Sequence, residues 1–539
     1  MNQTEVQTNQ DNEPKPWPFR ERWRIRGCLV AESPLFIGSG EISHRDTLKN
    51  GKQPIDIADC LRDHWGKPVI PATSLKGVMR ASLGNLPKDQ IINRLFGEDS
   101  EKEASGRGGE AEFLDALLAL PPKGDTPLPH WDETRQTWVE IINAIDRERG
   151  TVAENHLAHR ETVAPGSGFA VVITGQFSKP DEDIPLLLAM LETFNRAENP
   201  IMLGADTASG KGRMRWELEA VERIDAAAAL AWLDSDDQGM AADAFCPVPN
   251  EKLKTLREKA SELQLNGSGG RSFDITLKFD GPFLVNNPLT KAQVDAEKQL
   301  PQQQRSPDAR PRTNEQGEVI LPAKSFRGVL RSQGEKILRT MLDLNDEQWQ
   351  NKAIQKWVEK HIACRPEIAN RACKPIKKKD DVEKLCLACQ LFGAPGWRSP
   401  LELTDFSLIP GNYEIHTQEF VAIDRFTGGG KDSAKFNARA ILYPQFTGRL
   451  HLDESRLPAN WAHGLLALLL RDLKEGEMRF GWGAASKGYG WCTADISQWD
   501  DENWRKDAKE ALKALRNNIE TIRKKHIDNA NETPEASHD

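Results

Sequence analysis

Apolar and polar residues alternate along "WRIRGCLV" (Trp23–Val30) and again along "FDITLKF" (Phe273–Phe279). A period of two predicts half-buried strands, and Pro34 and Pro282 end the two ladders. The period then changes. "IPATSLKGVMR" (Ile70–Arg80) and "LPAKSFRGVLR" (Leu321–Arg331) space apolar side chains three and four apart behind a proline, which predicts two helix starts. Two long apolar runs follow, "DIPLLLAMLETFNRA" (Asp183–Ala197) and "AHGLLALLLRDLKEG" (Ala462–Gly476), and read as core helices. Each leads into a glycine-rich loop and a strand. The shared kernel is Gly210, Lys211 and Gly212 in the first loop, and Lys487, Gly488 and Gly490 in the second. These loops do not join a strand to a helix, so they are neither a dinucleotide fingerprint nor a P-loop.

The same elements therefore occur twice in the same order: strand, excursion, helix, strands, helix, glycine loop, strand. That order predicts an α+β fold, two tandem ferredoxin-like domains with insertions. The first spans 20–225 and the second 271–500, with 226–270 as linker, where "NGSGGRS" (Asn266–Ser272) is the clearest break. Residues 1–19 read as a disordered arm. Residues 501–539 read as a charged surface helix followed by a disordered tail.

Each helix start offers backbone N–H groups and a positive dipole end to an anion. Thr73, Ser74 and Ser325 are cap candidates. Lys76 and Arg80, or Arg327 and Arg331, stand four apart on one face, with Lys324 beside the second pair. The pattern suits a phosphate cradle; the plain alternative is a capped surface helix with solvated cations.

Cysteine usage differs between the copies. Cys28, Cys60, Cys246 and Cys492 are scattered, whereas Cys364, Cys373, Cys386 and Cys389 cluster and end in C-x-x-C. Four thiolates suit a closed tetrahedral zinc site with a structural role, with His361 as an alternative ligand to Cys364. Pro71 to Leu95 of the first "LFG" is 24 residues, and Pro322 to Leu391 of the second is 69. The cysteine module, 361–391, is thus an insertion in the second copy only.

The whole chain of 539 residues has a net charge of −9, which counts against a nonspecific DNA-coating protein but leaves local basic stripes open. It has no apolar run long enough to span a bilayer and no signal-peptide core, so a cytoplasmic protein is expected.

With "CLACQLFG", "VAIDRFTGGGKDSAKF" and "GAASKGYG" added to the two helix starts, the chain resembles the RAMP superfamily of CRISPR proteins. Specifically, it resembles backbone subunits of type III effector complexes, as a tandem fusion of the III-D/III-E branch. The resemblance implies guide RNA, target RNA and other effector subunits as partners. It implies β-hairpin thumbs that displace a base at every sixth position. It also implies target cleavage by a loop aspartate with a divalent metal such as Mg2+, about fifteen residues upstream of the helix-start proline. Asp308 stands fourteen residues before Pro322, and its neighbours Arg305, Arg310 and Arg312 suit target phosphates. In the first copy Asp56 stands fifteen and Asp59 twelve residues before Pro71; the distance favours Asp56 and Asp59 stays open, while Arg62 and Asp63 look structural.

The second thumb is expected in "HTQEFVAIDRFTGGGKDSAKFNARAILYP". Its tip would hold Gly428 and Gly429, Phe436 would be an aromatic wedge, and Asp424 and Arg425 would lie at the loop base or on RNA. The first thumb is expected in "VAENHLAHRETVAPGSGFAVVITG". There His159-Arg160 would match Asp424-Arg425, and Gly166, Gly168 and Phe169 would form the tip; His156 and His159 read as stacking or polar contacts. Arg160, Lys211, Gly212, Lys487, Gly488 and Gly490 join the opening-helix residues as expected RNA contacts. Two other readings stay open: a non-catalytic guide-RNA scaffold and a nuclease that trims precursor guide RNA.

Overall fold

The computed structural model describes residues 21–45, 55–83, 88–97, 108–122, 131–146, 151–197, 200–227, 244–263, 265, 270–287, 297–301, 305–314, 317–366, 368, 370–377, 379–411, 413–483 and 487–528. The expected arm at 1–19, most of the expected glycine linker and the end of the expected tail lie outside these residues.

The strand Arg22–Ala31 pairs antiparallel with Met214–Ile224 on one side and with Gly168–Gln176 on the other. Its alternation puts Trp23, Ile25 and Leu29 into the core under the helix Pro180–Glu192, where Ile184, Leu187 and Leu191 meet them. Beyond Gly168–Gln176 lie Ala116–Leu120 and then Val69–Ile70, while Ala111–Phe113 also pairs with Gly168–Gln176.

The second copy repeats this arrangement strand for strand. Cys492–Ile496, Gly270–Phe279, Gln445–Asp453, Phe406–Leu408 and Ile320–Leu321 follow in the same spatial order, with Leu401–Leu403 also on Gln445–Asp453. Each copy is thus an α+β unit whose four main strands lie in the order fourth, first, third, second, as in a ferredoxin-like sheet.

Both copies insert a hairpin between their second and third main strands. In the first, Trp138–Asp146 pairs with Thr151–Thr162. In the second, Glu414–Ile423 pairs with Gly430–Leu442. The second copy also inserts the helices Asp346–Gln350 and Lys352–His361 after its opening helix, whereas Leu387–Phe392, which carries the second "LFG", matches Lys88–Phe96 of the first.

The expected linker and the expected surface helix are both partly core. The helix Asn250–Glu262 buries Leu256 and Ala260 within the first core. The helix Glu502–Arg523 buries Trp504, Ala511, Leu515 and Ile519 against Asn460–Lys474. The approach needs Gly464, where a Cβ would come within 2.4 Å of the Ala511 carbonyl oxygen. Charged and polar residues on the outer faces of these helices conceal a narrow apolar stripe.

The copies meet end to end. The glycine loop of the first, residues 206–212, rests on the opening helix and the Leu401–Leu403 strand of the second. A Cβ on Gly210 would stand 2.8 Å from the Leu403 carbonyl oxygen, and Arg327 Nη1 donates to Ala208 O at 3.3 Å.

Candidate functional site

The opening helices run Ala72–Ser82 and Ala323–Thr340, with Pro71 and Pro322 at their caps. Neither is capped by its own serine or threonine. A carboxylate arrives from elsewhere instead: Ala72 N donates to Asp115 Oδ1 and Ala323 N to Asp405 Oδ1, both at 2.7 Å. Ser74 N and Ser325 N turn back to the proline carbonyls at 3.0 and 2.9 Å. A protein carboxylate therefore already meets the first N–H of each helix, where the sequence suggests a phosphate. Burial pushes the Asp405 carboxyl up, against the pull of the Ala323 N–H.

The motif cations divide by copy. In the first, Arg80 is exposed and Lys76 half-buried. In the second, Arg327 donates to the carbonyls of Leu401 (3.0 Å), Phe392 and Ala208, and burial pulls its guanidinium down to about 10. Arg331 is bound by Glu335, Gly393 O and Cys389 Sγ. These bonds commit both guanidinium groups to protein, contrary to the expectation of phosphate contacts.

The joint between copies gathers further expected RNA contacts into an ionic cluster. Arg160 Nη1 lies 2.5 Å from Asp206 Oδ2, and Lys324 Nζ lies 3.9 Å from the same oxygen. Lys211 is buried against Glu140. Burial raises the Asp206 carboxyl, but Arg160 and Lys324 outweigh it and hold it below the usual range. Lys211 and Arg160 thus fasten the first copy internally, and Lys324 reaches Asp206 from the second.

The second glycine loop is open. Nothing lies within 4 Å of a Cβ placed on Gly488, while Gly490, like Gly212, packs so closely on a carbonyl (1.8 and 1.7 Å to such a Cβ) that only glycine fits. Lys487 Nζ stands 4.9 Å from the ring centre of Phe420, 5.4 Å from Phe436 and 5.5 Å from Trp482.

The three candidate aspartates occupy distinct environments. Asp308 is exposed and clasped to the hairpin strand Gly430–Leu442. Its N–H donates to Asn437 Oδ1, and Asn437 N donates to Asp308 Oδ2, both at 2.9 Å. The next residue, Ala309, makes a parallel bridge to Ala438 on that strand. In the first copy Ile57 pairs in parallel with His159 on the corresponding hairpin strand, and the residue before it is Asp56. Asp56 is exposed, with His44 Nδ1 at 2.5 Å. Asp59 instead is buried among Ser43, Arg45 and Arg135. Topology thus makes Asp56 the counterpart of Asp308. Arg305 and Arg310 brace their own loop, donating to Leu300 O and Asn287 O, both at 3.1 Å.

Beside Asp59 a closed network forms. Glu161, fully buried, receives bonds from Arg45, Arg62, Arg135, Thr137 Oγ1 (2.8 Å) and Cys60 N (3.1 Å). Burial alone would raise its carboxyl, but the bonds from Arg135, Arg62 and Arg45 hold it well below the usual range. Arg62 is structural here, as the sequence suggests.

The thumb assignments need two corrections. In the second hairpin, Phe436 stacks on Phe420 at 5.1 Å between ring centres and meets Trp482, so it belongs to the base. The aromatic at the tip is Phe426, 100% exposed, beside exposed Arg425. Asp424 fixes the turn, accepting from Phe426 N and Thr427 N at 2.9 Å, and those bonds hold its carboxyl low; Gly428 takes a positive φ of 67°. In the first copy Phe169 is a core residue of Gly168–Gln176, opposite Leu29, and corresponds to Phe446, which faces Leu277. The hairpin lies earlier, at Trp138–Thr162, and its turn at 147–150 lies outside the described residues. The side chain of His156 does too, while burial pushes His159 down.

The four clustered cysteines converge. Their Sγ atoms all lie within 4.8 Å of one another, and those of Cys364 and Cys389 are 3.4 Å apart. Tetrahedral zinc–thiolate bonds of about 2.3 Å require sulfurs about 3.8 Å apart, so the set fits zinc. Cys364 N and Cys389 N donate to Cys386 Sγ at 3.4 Å, and Cys386 N donates to Cys373 Sγ at 3.3 Å, favouring thiolates. His361 stacks on Trp357 and is not part of the converging set. The four cysteines can hold a metal such as zinc, with no ligand position left for a reactant.

The family model described as the RAMP superfamily matches residues 28–215 and again 267–493. A CRISPR system Cms endoribonuclease Csm3 from Methanocaldococcus jannaschii is 25% identical over 200 residues, covering 36% of this chain and 77% of the relative. Among the described residues, no helix is long and apolar enough to cross a membrane.

Proposed function

Because the chain belongs to the RAMP superfamily, with two matched domains, we propose that it is a backbone subunit of a type III CRISPR effector complex. It holds guide RNA along two consecutive modules and cleaves paired target RNA beside each thumb. The archaeal relative carries the name of a CRISPR endoribonuclease, which supports this class of activity.

The observation that carries the reading is the paired placement of Asp308 and Asp56. Each is exposed and stands one residue before a parallel bridge onto the returning strand of its hairpin. A base displaced by the thumb leaves its neighbouring 2′-hydroxyl and phosphate near the hairpin base. There an exposed carboxylate can take the proton of the 2′-hydroxyl and orient its oxygen for in-line attack on the phosphate, which breaks the bond to the 5′-oxygen of the next nucleotide; that oxygen leaves as an alcohol protonated from water, and the cut end keeps a 2′,3′-cyclic phosphate. A divalent ion such as Mg2+ would supply charge stabilisation at the phosphate oxygens. Asp308 is held by Asn437 at one oxygen, which fixes its direction. Asp59 is committed to arginines, so Asp56 is assigned the role in the first domain.

Guide contact falls to groups the protein leaves accessible: Ser74, Lys76 and Arg80 of the first opening helix, and Ser325 and the open loop Lys487–Gly488 of the second copy. Zinc has a structural role. The domains are 20–225 and 271–500, each extended by its packed helix, Asn250–Glu262 or Glu502–Arg523.

The test is an assembled complex carrying Asp308→Ala, Asp56→Ala or both. Unchanged target binding with cleavage lost in the double variant is expected. Unchanged cleavage in the double variant would leave a non-catalytic scaffold as the correct reading.

A further inference from the structure

Arg331 belongs to the motif repeated in both copies, yet its setting is unlike that of Arg80. Arg80 lies exposed on its helix. Arg331 Nη2 donates to Cys389 Sγ at 3.1 Å and lies 3.9 Å from Cys364 Sγ. Its Nε bonds Glu335 Oε1 at 3.0 Å, and its Nη1 reaches Gly393 O at 3.3 Å. Glu335 is itself buried, so the guanidinium is locked between the helix carboxylate and the cysteine module.

Four thiolates around a divalent ion leave a net charge of −2 in a largely buried place. Cys364, Cys386 and Cys389 are almost fully covered. A guanidinium in contact with two of the sulfurs, and shared with Glu335, lowers the local negative potential at the sulfurs and orients the Cys389 ligand. Outer partners of this kind contribute on the order of 10–100-fold to metal affinity. The same group is rooted in the middle of the Ala323–Thr340 helix.

We infer that Arg331 is the outer partner of the cysteine metal site and couples metal occupancy to the position of the second opening helix. A residue type shared by both modules thereby serves the inserted site in this copy. The inference rests on the cluster taking a metal, which zinc analysis of the unaltered protein establishes separately.

The experiment measures zinc per chain, then the rate at which a chromophoric chelator withdraws it, in the full chain and in Arg331→Met, Arg331→Lys and Arg80→Met. Arg331→Met should release zinc about 10-fold faster or more, Arg331→Lys should recover part of the loss, and Arg80→Met should match the unaltered protein. Amide exchange after zinc removal should rise across 323–340 and stay unchanged across 72–82. Absence of zinc from the unaltered protein would overturn the metal reading itself. Zinc present but released from Arg331→Met at the unaltered rate, or exchange across 323–340 indifferent to zinc, would overturn the coupling. Should Arg331→Met not fold, Arg331→Lys decides by the same rate.

Discussion

Replacing Glu161 by alanine should weaken the first domain more than most single changes. The carboxylate is fully buried and is shared by Arg45, Arg62 and Arg135, whose side chains are 13%, 13% and 31% exposed. Its loss leaves three guanidinium groups without their common partner and removes the acceptors of Thr137 Oγ1 and Cys60 N. Removing one partner of a buried ionic set costs about 3–5 kcal/mol. Arg135 can turn towards water, which puts the expectation near the lower end, about 3 kcal/mol. For a domain of this size that is roughly 6–12 °C in melting temperature. Scanning calorimetry of the full chain measures it, and amide exchange across 55–60 and 138–162 locates it. The network also fixes the strand carrying Asp56, so exchange there should rise first. A shift under about 2 °C would refute the view that this network holds the base of the first hairpin.

The same carboxylate gives a pH signature. Its folded value lies below its unfolded one, so its contribution is present above the ordinary range near 4.5 and is lost as pH falls below it. Glu161→Gln should flatten the acid limb of stability against pH, read by denaturant melts between pH 3 and 7. Gly490→Ala should abolish the second-domain fold, since the new Cβ meets the Phe480 carbonyl oxygen at 1.8 Å, whereas Gly488→Ala has open space and costs only its left-handed backbone, about 1–3 kcal/mol; circular dichroism and melting separate the two. Phe426→Ala should leave the melting temperature unchanged, because the ring touches no core, while weakening base displacement opposite the second hairpin, read with a fluorescent base analogue in the target strand.

Much of the architecture was legible because the repeat acts as an internal control. The helix starts, the long apolar helices and the glycine loops recur in order, and the main strands between them take the same order in each sheet. The C-x-x-C cluster was legible because its ligand chemistry is local. Errors arose where contacts come from far along the chain. Arg327 and Arg331 look like free cations until Phe392, Gly393 and Leu401 fold back over them, more than sixty residues later. The helix caps are hidden for the same reason, although Leu114-Asp115 and Thr404-Asp405 stand in matching places before a strand. "PGSGF" has the composition of a hairpin tip and draws the expected first thumb too far along the chain. Its Phe169 in fact continues the core alternation of Gly168–Gln176. Phe426 carried a readable signal: an aromatic inside a glycine-rich turn has no core to join.

The most direct test of the central claim is the position of target cuts made by the assembled complex, mapped to the nucleotide. Two metal-dependent cuts from this chain, about six nucleotides apart, are expected. Asp308→Ala should erase one, Asp56→Ala the other, and Asp59→Ala neither beyond its effect on stability. Both cuts persisting in the Asp308→Ala, Asp56→Ala double variant, with target still bound, would contradict that claim.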